Sequence, residues 1–91
     1  MQASSLVQLD NERVVVTEWI FSPGAQTGNH RHERDYVVVP LTTGVLLLVA
    51  NDSTSESRLE TGVSYSRIGG VEHNVVNPNG YEFRFIEIEL K

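Results

Sequence analysis

Two of the three histidines, His30 and His32, stand one residue apart in "GNHRHERDYVVVP", and the third, His73, follows paired glycines in "IGGVEHNVVN". Residues two apart on an extended strand project to the same side, about 6.5–7 Å apart at the backbone. His30 and His32 can therefore converge on one metal ion while Arg31 faces away, each nitrogen bonding at about 2.0–2.1 Å. A third ligand has to come from another strand, and His73 is the only imidazole left to supply it. A single histidine is more often a surface or satisfied core residue, so the surroundings decide whether these three make a site.

Those surroundings are strands. Valine, isoleucine, threonine and aromatics dominate "RVVVTEWIF", "DYVVVPLTT", "GVLLLVA", "VSYSRI", "HNVVN" and "YEFRFIEIELK", the composition of pleated segments. Turn signals separate them: "SPG" from Ser22, "ANDSTSES" from Ala50, "TG" at Thr61 and "NPNG" from Asn77. No segment carries the three-to-four-residue apolar spacing of a surface helix, so the chain reads as all-β, a sandwich or barrel. Val37–Val39 and Val45–Val49 are apolar on both parities. Without helices to cover a second face, another copy of the sheet is the economical cover, which predicts a twofold homodimer. In the last run, Tyr81, Phe83 and Phe85 alternate on one parity and Ile86, Ile88 and Leu90 on the other. Either a bulge near Phe85 and Ile86 flips the register or Glu87 points into the core; the bulge is favoured, because a lone buried carboxylate is costly.

With 91 residues the chain has room for one domain, residues 1–91, with a small core, and association would add stability. Seven basic residues against twelve acidic ones leave a net charge of −5, which argues against a nucleic-acid surface. The absence of cysteine excludes disulfides and thiolate metal sites. The N-terminus lacks the basic start and apolar run of a signal peptide, and no stretch approaches the roughly 18 apolar residues of a membrane helix. A cytoplasmic protein without membrane contact is the expectation.

Gly24, five residues, His30, one residue, His32, and later Gly44 form a spacing that resembles the first motif of the cupin superfamily. Gly62, five residues, Ile68, Gly69, Gly70, then His73 and Asn77 resemble the second, with Ile68 where proline is usual. The resemblance implies a small jelly-roll barrel, or double-stranded β-helix, with a metal inside its mouth held by His30, His32 and His73. It makes Gly24, Gly44, Gly62 and Gly70 turn positions, and Asn77 is read as capping the turn that follows it. The motif's glutamate, three or four residues after the second histidine, is missing: Tyr36 and Val37 stand there. Alternation sends Glu33 and Asp35 to the opposite face, whereas Tyr36 shares the histidines' parity as a cavity-lining residue.

Three neutral imidazoles leave a divalent ion's charge uncompensated, which favours an anionic ligand or hydroxide in the open positions. Iron, zinc, nickel, manganese and copper all accept imidazole, so the ligand set does not select the metal. Some three-histidine cupins are iron-dependent dioxygenases, which is the activity the resemblance offers. Tyr65, Arg67, Trp19 and Arg34 are further pocket candidates, with either arginine able to pair a carboxylate. Over its full length the chain is similar to very small cupins associated with β-alanine degradation, which suggests a small carboxylate metabolite as ligand. Two function classes follow: a metal-dependent enzyme acting on a small organic acid, or a non-catalytic module that binds or senses one.

Overall fold

The β-branched and aromatic runs form nine strands and no helix in the computed structural model, which describes all residues from Met1 to Lys91. They are β1 (Ser4–Asp10), β2 (Val14–Phe21), β3 (His30–Arg31), β4 (Tyr36–Pro40), β5 (Gly44–Val49), β6 (Thr54–Leu59), β7 (Tyr65–Arg67), β8 (Glu72–Val76) and β9 (Phe83–Leu90). A five-stranded sheet has the order β1-β2-β9-β4-β7, and a four-stranded sheet the order β3-β8-β5-β6. All strand pairs are antiparallel.

The sheets face each other across a core built from alternate residues. Phe21, Phe83, Phe85, Tyr36 and Val38 come from the larger sheet, and Leu46, Leu59 and Val75 from the smaller. Phe21 and Phe83 are fully enclosed, and Phe21 stacks on Phe85 at 5.7 Å between ring centroids. Truncating either fully enclosed ring to alanine costs about 3–5 kcal/mol by the usual rule for buried aromatics.

The bulge expected near Phe85 is absent. Strand β9 pairs residue for residue with β2 from Val14↔Leu90 to Phe21↔Phe83, and with β4 from Tyr36↔Glu89 to Pro40↔Phe85. Phe83, Phe85 and Glu87 therefore share the inner face, and Glu87 is 7 % exposed. The opposite parity is apolar for a different reason: Ile86 and Ile88 sit beside Val37, Val39 and Val16 on the sheet's outer face, partly exposed. Both faces are apolar, so no register change is needed to reconcile them.

Two strands lack a hydrophobic signature. Strand β6 lies within and beyond the polar "ANDSTSES" run, and its exposed residues are held by a full ladder to β5. Strand β1 is exposed throughout and depends on its ladder to β2. Among the motif glycines, Gly24, Gly62 and Gly70 do occupy positive φ, as turn positions require. Gly44 does not; it opens β5, and a Cβ there would come within 2.5 Å of the Tyr81 hydroxyl and 3.1 Å of the Phe83 ring. Its reason is close packing rather than turn geometry.

Asn77 is fully buried at the end of the barrel away from the histidines. Its Nδ2 donates to the carbonyls of Phe21, Ser22 and Tyr81 at 3.2, 3.3 and 2.9 Å. Its Oδ1 accepts from the backbone and side-chain nitrogens of Asn79 at 2.9 and 2.7 Å. The expected turn cap is thus a clamp on three chain segments.

Candidate metal centre

Strand β3 is only two residues long, yet it places the site. His30 pairs directly with His73 of β8, so the two side chains project together into the barrel. His32 follows two residues later, on the same side. Its backbone N–H donates to the Val71 carbonyl at 2.9 Å and its carbonyl accepts from Gly70 at 2.6 Å. The positive φ of Gly70 lets the chain make this close return.

The three imidazoles converge through Nε2. His30 Nε2 lies 3.0 Å from His32 Nε2, which lies 3.1 Å from His73 Nε2. One ligand atom from each falls within 4.8 Å of the others. Three nitrogens bound at about 2.0–2.1 Å to a single tetrahedral or octahedral ion are about 2.9–3.4 Å apart, so this spacing fits a metal. The tautomer of His30 fits as well. Its Nδ1 is 2.9 Å from the Gly28 carbonyl, which can only accept, so Nδ1 carries the proton and the Nε2 lone pair faces the cluster. Thr27 Oγ1, 3.2 Å from the same Nδ1, adds support.

Burial favours the neutral form of His32 and His73. Burial, then the neighbouring His30 and His73, lower the His32 pKa to about 4. Burial, then His30, bring His73 to about 4 as well. Near neutral pH these imidazoles present lone pairs, and no proton has to leave before a cation binds.

Behind the histidines is a cavity of about 140 Å³ with mainly apolar walls, among them Val38, Leu46, Leu48, Val75 and Phe85. Tyr36, Tyr65, Arg67 and Trp19 line it. Tyr36 stacks on the His32 ring at 4.1 Å, and burial, then Glu87 and Tyr65, push its phenol up to about 12. Its ring forms part of the cavity wall beside His32. Arg67 lies over the Tyr65 ring at 4.5 Å, its head otherwise exposed. Arg34 does not line the inner cavity; it lines an adjoining outer pocket with Arg31, Glu33, His30 and His32. Asp35 is also outside, accepting from the Gly69 N–H at 2.8 Å.

Glu87 is the group that residue spacing had assigned elsewhere. Placed by β9 between Thr17 and Val38, it reaches the cavity with Oε2 3.9 Å from His32 Nδ1. Burial, then the nearby Glu89, raise its pKa to about 7, and the Trp19 indole opposes the rise. That indole Nε1 is buried and makes no hydrogen bond within bonding distance. The parity of Phe83, Phe85 and Glu87 was the signal that pointed to Glu87.

No family model matches the chain. It is 53 % identical over 90 residues to the beta-alanine degradation protein BauB of Pseudomonas aeruginosa, covering 99 % of this chain and 95 % of that one. A cupin domain from Bordetella pertussis, solved by crystallography, is 60 % identical with a TM-score of 0.97, over 99 % of this chain and 94 % of that chain. A double-stranded β-helix protein from Klebsiella pneumoniae, 18 % identical, has a TM-score of 0.80 over 98 % of this chain and 76 % of that chain, which speaks for the fold alone. The expected jelly-roll architecture is the one found, and with identity this high over nearly both full lengths the chain belongs to the BauB family of small cupins.

Proposed function

We propose that this protein binds a divalent metal through His30, His32 and His73 and acts on a small organic acid held over the metal in the adjoining cavity. The convergence of the three Nε2 atoms carries the reading. A bound ion would supply Lewis-acid or redox chemistry with positions open to substrate. The chain's own residues do the rest. Trp19, Val38, Leu48 and Phe85 exclude water from the substrate's carbon skeleton, and Tyr36 holds the His32 ring. Arg67, at the cavity wall over the Tyr65 ring, is the residue proposed to pair the substrate's carboxylate. The cavity's size restricts the ligand to a few carbons, and the name of the Pseudomonas relative suggests a role in β-alanine breakdown.

The test is elemental analysis of protein purified without added metal, followed by calorimetric titration of small carboxylates with and without chelator. Bound metal and chelator-sensitive binding or turnover support the proposal. Ligand binding indifferent to both chelator and His73→Ala leaves a non-catalytic binding module instead.

We further propose that the outer face of the five-stranded sheet pairs with a second copy. Val16, Ile20, Val37, Val39, Ile86 and Ile88 form a partly exposed aliphatic surface there. Its charges, Glu18 and Arg84, bond to each other at 3.2 Å. A twofold interface needs a self-complementary patch, and an aliphatic face with balanced charges is one. Ile88→Arg should convert a sedimenting dimer to monomer; a parent protein that sediments as a monomer at micromolar concentration overturns the assignment.

A further inference from the structure

Behind the histidine cluster, His32, Glu87 and Trp19 bring three polar groups to the same cavity. His32 Nδ1 faces Glu87 Oε2 at 3.9 Å, too long for a bond, and both side chains are only 10 % exposed. Trp19 Nε1 is the one buried side-chain nitrogen or oxygen without a partner in the protein. Trp19 and Glu87 lie on neighbouring strands and line the same cavity. His30, by contrast, already has its Nδ1 held by the Gly28 carbonyl.

Donors and acceptors match in number. With Nε2 of His32 turned to a cation, its proton sits on Nδ1, so His32 and Trp19 each present one N–H donor. A carboxylate can accept on both oxygens. A buried donor left unpaired is costly, and Trp19 Nε1 is such a donor; the Glu87 carboxylate on the neighbouring strand is an acceptor that can relieve it while closing on His32 Nδ1. The position also bears on charge. Tyr36 stands where the family's motif has glutamate, and Tyr36 pairs with Glu89 on β9, two residues from Glu87.

We propose that Glu87 is a positioning residue for the metal site, accepting His32 Nδ1–H on one carboxylate oxygen and Trp19 Nε1–H on the other. It thereby fixes His32 with Nε2 toward the ion and supplies from β9 the negative charge missing after the histidines. The inference rests on the metal reading above. Partners of this kind, one bond removed from the ion, orient the ligating imidazole and raise its basicity, and their loss costs about 10- to 100-fold in metal affinity.

Glu87→Gln is the decisive variant, because it leaves one accepting oxygen instead of two, removes the charge, and puts in place of the other oxygen a nitrogen that cannot accept from either donor. Zinc is the probe, and the indole ¹H–¹⁵N resonance of Trp19, the chain's single tryptophan, is a second readout. In the parent, zinc should bind and shift the indole resonance as the hydrogen bond forms. In Glu87→Gln, zinc affinity should fall about 10- to 100-fold and the indole response should be lost. Trp19→Phe, which leaves His32 its partner, should weaken zinc binding less than Glu87→Gln. Zinc affinity of Glu87→Gln within twofold of the parent, or an indole resonance that ignores zinc in a zinc-binding parent, overturns the role of Glu87 and leaves the three-histidine site standing. A parent that binds no zinc overturns the metal reading and this inference together. The parent's indole response decides the matter even if Glu87→Gln fails to fold.

Discussion

The two ends of the barrel both bury polar side chains, with opposite results. At one end every polar atom of Asn77 is used, its amide donating to three carbonyls and its oxygen accepting twice from Asn79. At the other end three imidazole nitrogens point at one another, Glu87 stops short of His32, and the Trp19 indole has no partner. A satisfied buried network rigidifies a fold, whereas an unsatisfied one raises its energy unless something else binds. The contrast separates the structural end of this molecule from the functional end, although both carry motif residues of similar polarity.

Removing one member of the histidine cluster should have the largest effect. His73→Ala is expected to lower zinc affinity by about a thousandfold, roughly a third of the free energy typical of a zinc site. Its thermal midpoint without metal should stay near the parent's. In the parent, zinc at about 100 times its Kd should add about 2.7 kcal/mol to stability, and in His73→Ala almost nothing. Calorimetric titration and melting curves measure both. A parent-like zinc response in His73→Ala would erase the distinction between the ends.

Asn77→Ala should do the reverse. It strands the buried Phe21 carbonyl and frees two part-buried ones, and should cost about 2–4 kcal/mol of stability, read as a lower urea midpoint. Zinc affinity of the folded fraction should remain within about twofold of the parent, since Asn77 touches none of the histidines. A loss of zinc binding comparable to that of His73→Ala would mean that the two ends are coupled.

The smallest effect is the pH dependence of the metal-free protein, measured with chelator present. His32 and His73 have folded pKa values near 4, below the ordinary 6.5, so the folded state resists protonation and stability falls as pH drops from 6.5 toward 4. Glu87 has a folded pKa of about 7, above its ordinary 4.5, so its contribution is complete below 4.5 and declines as pH rises through 7. Two histidines outweigh one glutamate between 4.5 and 6.5, so stability should climb there, then flatten or fall toward 7. Glu87→Gln should steepen the climb and remove the fall. Melting curves from pH 4 to 8 that show no slope would mean that the buried cluster titrates as it does in the unfolded chain.

Much of this molecule was legible in residue order. The β-branched runs foretold β2, β4, β5, β8 and β9, and the spacing of His30, His32 and His73 foretold their convergence. Strands β1 and β6 were not legible, because their exposed residues are held by ladder hydrogen bonds to neighbours rather than by a hydrophobic pattern of their own. Gly44 looked like a turn glycine because the sequence does not show that Tyr81 and Phe83 lie against it.

Local pattern by itself determined that the chain is all-β, that it has no thiolate chemistry, and that His30 and His32 share a side, since a strand's two-residue repeat is a property of the backbone. The surroundings of Glu87 were decided only by the tertiary structure. Alternation permitted it to face inward, and the expected cost of a buried carboxylate argued against that. Regular pairing of β9 with both β2 and β4 holds it inside, beside His32 and Trp19. There burial raises its pKa to about 7, and the proposed bonds from His32 and Trp19 would offset the cost that had made an inward carboxylate look untenable.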